Sequence, residues 1–182
     1  MQKAEIYDRY PISSVVIYNG STILHFLTGG LILLFLTKII GFSGIAVSAL
    51  YIVLAFLEMY VIMPLKVCPS CVYFRTSGSL CISGLNVWSK MIAKPGNSTD
   101  FPQRAQGLFC QNNLYITSLV FPILLGVLIL ILKFNLLLLF FEIGLFLLLV
   151  LRFFLIIPSL ACVHCRSKFV CPQAGQMGVR EK

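Results

Sequence analysis

The chain has 182 residues, of which 59% are hydrophobic and only 11% charged, with a net charge of +8 and a mean hydropathy of +0.96. A soluble domain carries about 25% charged residues, so water is excluded as the main solvent and a lipid bilayer is the expected one. The basic runs are interrupted and match no recognition motif, which excludes nucleic acid as a partner.

Residues 1–14 read as a short polar N-terminus. A first apolar segment follows at Val15–Ile40 and a second at Gly44–Leu65, separated by "KIIGFSG". Each reaches the roughly 20 residues that span a bilayer as a helix, and so short a break predicts an antiparallel hairpin. Residues 66–112 form a polar, cysteine-rich loop. Its stretch around Trp88 reads as a short interfacial helix before a Pro/Gly-rich turn. The third and fourth segments, Asn113–Leu132 and Phe134–Leu160, make a second hairpin across "LKFN". Residues 161–182 are a cysteine-rich tail. The fold class expected is an all-α integral membrane protein with four transmembrane helices in two hairpins, since lipid leaves no backbone group to be satisfied by water. Gly20, Gly29, Gly30, Gly126 and Gly144 are the candidates for close helix approach.

Four spans place both termini and the 66–112 loop on one side of the membrane. Eleven of the fourteen basic residues lie there, and only Lys38 and Lys133 opposite. Basic residues stay in the cytoplasm, so both termini and the loop are expected to face inward, in the cell membrane. The tripeptide Asn97–Thr99 fits a glycosylation acceptor and is outweighed by that charge asymmetry. All seven cysteines fall outside the spans on this face, where thiols are kept reduced; structural disulfides are therefore not expected.

The cysteines show an internal repeat. A shift of 94 positions lays Pro64 on Pro158, Cys68 on Cys162, Cys71 on Cys165 and Glu58 on Arg152. Two like-oriented hairpins, each ending in Pro-x3-Cys-x2-Cys, would be related by an axis along the membrane normal. A Cys-x2-Cys turn directs two thiolates at one ion, and two turns supply a four-sulfur site. Cys68, Cys71, Cys162 and Cys165 are accordingly the expected first ligands, with Cys81, Cys171, Cys110 and His164 as a second group. Thiolate-rich sites suit zinc or an iron–sulfur cluster, and the choice stays open. Arg75, Arg166 and Lys168 flank the cysteines and favour thiolates.

Within the spans, Glu58 and Arg152 each lie seven or eight residues from the cysteine-side end, roughly 10–12 Å deep. Charges at that depth require a partner. The expectation is a Glu58–Arg152 ion pair in a polar intramembrane pocket shared with His25, Tyr18 and Thr22. Glu142, nearer the other face, is expected to pair with Lys38 or Lys133.

Function is read as metal-centred redox chemistry or electron transfer between a cytoplasmic redox or other protein partner and a membrane-soluble group. The alternatives are a soft-metal or small-solute transporter, a membrane thiol oxidoreductase, and a zinc-stapled structural subunit. Assembly into a homo-oligomer is left open, as is whether the chain is an enzyme. No nucleotide-binding glycine loop, Ser–His–acid set or HExxH is present.

Overall fold

The computed structural model describes residues 5–105 and 111–179. It is all-helical, with four helices long and apolar enough to cross a membrane: Ile12–Ile40, Ser43–Ser70, Asn112–Leu132 and Leu136–Cys162. No strand forms among the described residues, only two isolated bridges near the N-terminus.

Helix α1 (Ile12–Leu34) ends in a short turn of helix at Thr37–Ile40. Gly41, at φ +64°, then reverses the chain in a conformation that costs other residues a steric penalty. Helix α2 (Ser43–Leu57) returns across the bilayer and runs on through a π-helical stretch, Glu58–Ile62, to Met63–Lys66. After the polar loop and its helix α3 (Leu85–Ile92), helix α4 (Gln111–Leu132) crosses again. Asn135 starts helix α5 (Leu136–Leu151) by accepting the amide of Leu138 at 3.1 Å, a side-chain cap for an otherwise orphaned donor. Helix α5 continues as π-helix over Arg152–Cys162. Pro158 lies inside that stretch and offers no amide, while the Val163 amide reaches back five residues to the Pro158 carbonyl at 3.1 Å. A last turn, α6, spans Pro172–Gln176.

Helix α1 packs against α2, α4 and α5. The Gly29–Gly30 pair makes the crossing: a Cβ on Gly29 would stand 2.8 Å from Tyr51 Oη and 2.9 Å from Pro122 Cγ, and one on Gly30 2.4 Å from Ile52 Cδ1. The Ser48 hydroxyl donates to the Gly30 carbonyl at 2.7 Å across the same contact. Gly126 admits the Glu142 side chain in a comparable way. Gly20 and Gly144, expected to do the same, meet nothing within 4 Å, because their Cα atoms point away from neighbouring helices. The two hairpin tips touch at one end, where Lys133 Nζ donates to the Lys38 carbonyl at 2.7 Å. The cysteine segments and the N-terminal segment gather at the other.

Glu142 pairs with neither lysine. It is buried beside Gly126, and both carboxyl oxygens lack a hydrogen-bond partner. Rotation of α5 turns it into the bundle, away from the basic tip.

Candidate functional site

The cysteine end is organised around residues 5–10, which thread between the two cysteine segments. On one side the Tyr7 amide donates to the His164 carbonyl at 3.0 Å. On the other the Tyr10 amide donates to Leu80 at 2.9 Å, and the Leu80 amide returns a bond to Asp8. Side chains lock the same segment: Tyr73 Oη donates to the Tyr7 carbonyl at 2.6 Å and accepts the Arg166 amide at 3.2 Å. The Tyr10 hydroxyl donates to Ala161, and Arg166 pairs with Asp8. The Tyr7 ring stacks on His164 at 4.4 Å with 11° between the planes. His164 Nδ1 donates to the Glu5 carbonyl at 2.7 Å, which fixes the tautomer and leaves the lone pair on Nε2.

Behind this segment the loop and the tail meet. Cys71 Sγ meets the Ser167 hydroxyl at 3.5 Å, joining loop to tail. Burial pushes the Cys71 thiol up; the Ser167 hydroxyl and Tyr73 amide pull it down, and the neighbouring Cys81 and Cys171 raise it again. The Cys165 thiol is pushed up to about 12, first by burial and then by Cys71, Cys171 and Cys162, with the Ser167 backbone opposing. Burial also pushes the Tyr10 and Tyr73 phenols up. Cys71 and Cys165 therefore feel each other and share Cys171 as a neighbour. No disulfide joins cysteines among the described residues. Nor does any group of three or more His, Cys, Asp or Glu side chains there stand close enough to hold a metal ion. Cys68 packs against the apolar cluster built on Phe26 and Leu119. Cys110 lies outside the described residues.

Of the flanking cations, Arg75 donates to the Gly96 carbonyl at 2.7 Å, and Lys168 is buried. Its Nζ donates to the Val163 carbonyl at 3.0 Å and lies over the Phe169 ring, 5.4 Å from its centroid. The loop below is tied by Asn86, which is buried and donates to the Ser79 carbonyl at 3.0 Å while accepting the Cys81 amide at 3.0 Å. Ser89 on α3 donates to the Pro64 carbonyl at 2.6 Å, docking the loop onto the end of α2.

The intramembrane cluster forms without the expected ion pair. Arg152, wholly buried, donates to Ser21 Oγ at 2.8 Å and to the Tyr115 hydroxyl. Its guanidinium lies 4.8 Å from the Tyr18 ring centroid and 5.7 Å from that of Tyr115, within cation–π range. The Tyr115 hydroxyl also meets Thr22. His25 Nε2 donates to the Leu119 carbonyl at 2.9 Å, while its Nδ1 is buried without a partner. Tyr18, Thr22, His25 and Arg152 are thus brought together by α1, α4 and the end of α5.

Glu58 stands apart. Among the described residues the ion pair is Arg166–Asp8, and Glu58 Oε1 is buried without a hydrogen bond. Glu58 lines a groove of about 400 Å³ between α2 and α4, with Thr117, Ser118 and Phe121 on its other wall. Arg152 meets α4 instead at Tyr115. The two charges face different sides of one helix, which is why the pair does not form. Sequence reasoning also missed Tyr115, Ser167 and the extended N-terminal segment; the two tyrosines of "YDRY" just before the first span were the available signal.

No protein-family profile, curated protein or solved structure matches the chain. Its class therefore rests on its own architecture: a helical membrane protein with four helices long and apolar enough to span a bilayer.

Proposed function

We propose that this chain is a thiolate–metal membrane protein, holding zinc or an iron–sulfur cluster, that passes electrons between a cytoplasmic partner and a membrane-soluble group. The observation that supports it is the meeting of loop and tail at Cys71 and Ser167, 3.5 Å apart, with Cys165 and Cys171 of the tail near enough to act electrostatically on Cys71 or be acted on by it. These thiols, with Cys68 and Cys81 beside them in sequence, are the proposed ligand pool; His164 Nε2 offers a nitrogen at its rim. Binding would draw the side chains inward and release their protons, coupling the metal to closure of this end. Buried Lys168 offers positive charge to a thiolate set.

The finer architecture belongs to the same reading. The two π-helical stretches begin at Glu58 and Arg152, the positions related by the 94-residue shift, which favours two parallel hairpin repeats. The basic residues on the cysteine side favour a cytoplasmic placement of that side and of both termini.

Two alternatives are less favoured on physical grounds. Thiol–disulfide exchange needs a thiolate, and burial holds Cys71 and Cys165 in the thiol form. Passage of a soft cation would have to cross the field of buried Arg152, which forms no ion pair with a carboxylate among the described residues.

Anaerobic purification in detergent, followed by metal and sulfide analysis, tests the proposal. Iron and acid-labile sulfide with visible absorbance, lost in Cys71→Ser and Cys165→Ser, support it. Stoichiometric colourless zinc would reduce the centre to a staple between loop and tail and sink electron transfer. A metal content unchanged by both substitutions would overturn the centre itself.

A further inference from the structure

The groove between α2 and α4 combines features that packing alone does not explain. It opens at the lipid-facing side of the bundle, where Leu50, Leu54 and Leu57 are exposed. At about 400 Å³ it falls in the size range of small-molecule sites. Its walls are apolar except for Glu58, Thr117, Ser118 and Tyr51. The Tyr51 hydroxyl is committed to the Ser118 carbonyl at 2.9 Å, which holds its ring beside Phe121 at 6.1 Å and 25°. Both rings line the groove. Glu58 is 7% exposed, and its Oε1 has no hydrogen-bond partner.

A buried carboxyl oxygen without a donor is costly in such surroundings. A donor that enters the groove from the lipid side would supply the absent hydrogen bond. An acyl chain fills the volume and offers no donor. An ammonium offers donors and brings a charge that is expensive to move through the hydrocarbon. A neutral ring bearing hydroxyls meets both demands: it partitions into the bilayer, packs against aromatic side chains and donates to a carboxyl oxygen.

We propose that this groove binds the headgroup of a quinol, with Glu58 accepting the hydrogen bond of one ring hydroxyl. Thr117 is placed to meet the ring's other polar edge, and Tyr51 and Phe121 support its face. The inference deepens the reading above by giving a chemical class to the membrane-soluble group, and it rests on that reading for the biological use of the ligand. Binding itself requires no metal.

The test uses the full chain in detergent micelles and a decyl-chain benzoquinol as probe, with decylbenzene as a ring and tail lacking hydroxyls. Two readouts apply: titration calorimetry, and protection of Glu58 from dicyclohexylcarbodiimide, located by peptide mass. Saturable quinol binding that protects Glu58 is expected, with decylbenzene at least about tenfold weaker. Glu58→Gln should weaken the quinol by about tenfold or more. Leu54→Trp, which fills the groove from the lipid side and keeps Glu58, should abolish binding while far-ultraviolet circular dichroism stays native. Equal binding of decylbenzene and quinol would mean that the groove takes hydrocarbon only, and would overturn the proposal. Quinol affinity unchanged by both substitutions would overturn it as well. Metal content measured on the same samples separates the two ideas: quinol binding without metal leaves this site standing and removes the centre, and metal without quinol binding does the reverse.

Discussion

Replacing Gly29 by alanine should destabilise the bundle, whereas the same change at Gly20 should not. Both residues lie in α1 and both changes add one methyl group to a helix, so the intrinsic propensity term favours each by up to about 1 kcal/mol. At Gly20 nothing lies within 4 Å of the new Cβ, and that gain stands. At Gly29 the methyl group would sit 2.8 Å from Tyr51 Oη, 2.9 Å from Pro122 Cγ and 3.0 Å from Pro122 Cβ. None of these atoms yields easily. Pro122 is a rigid ring inside α4, and the Tyr51 hydroxyl is held by the Ser118 carbonyl. Overpacking of this kind costs about 1–3 kcal/mol, leaving Gly29→Ala destabilised by about 1 kcal/mol and separated from Gly20→Ala by about 2 kcal/mol. That is a factor of about 30 in the unfolding equilibrium. Reversible unfolding of the two variants in mixed detergent–dodecyl sulfate micelles, followed by circular dichroism, measures the difference. Gly29→Ala equal to or more stable than Gly20→Ala would refute the three-helix contact at this point.

A double-mutant cycle on Glu58→Gln and Arg152→Gln should be additive to within about 0.5 kcal/mol, because the charges face different sides of α4; a coupling above about 1 kcal/mol would restore the ion pair. Metal-free protein should lose stability at alkaline pH. The Cys165 thiol sits at about 12 in the folded chain against an ordinary value of 9.0, so the folded state keeps a proton that the unfolded state releases. Its contribution is complete below about pH 9 and declines between pH 9 and 12, by at most about 1.4 kcal/mol per pH unit. Denaturation midpoints from pH 8 to 11 should show that decline, shallower in Cys165→Ser; identical slopes in the two proteins would refute the burial of this thiol.

The spans were legible because lipid solvation acts on composition, and composition is read directly: each helix lies within a few residues of its apolar run. Burial of Glu58 and Arg152 was legible for the same reason. Their partners were not. Whether Arg152 meets Glu58 or Tyr115 depends on the rotation of each helix about its axis, and a uniformly apolar surface such as that of α5 encodes rotation only weakly. The glycines show the same limit, since Gly29 and Gly144 look alike in sequence and only one faces a neighbour. At the cysteine end, spacing pointed to an encounter between loop and tail. It gave no sign that Tyr7 and Tyr10 stand between them, because main-chain bonds from a short irregular segment leave no periodic pattern.

That segment has a consequence for the order of folding. Tyr10 bonds a carbonyl 151 residues away and His164 one 159 residues away, so residues ahead of the first span find their partners beyond the fourth. Loop closure over such separations comes late and slowly. Until the fourth helix is inserted and released, the thiols near Cys71 have no counterpart from the tail. The cysteine end therefore closes only after the fourth helix and the segment beyond it are in place, which makes it the last part of the fold to form.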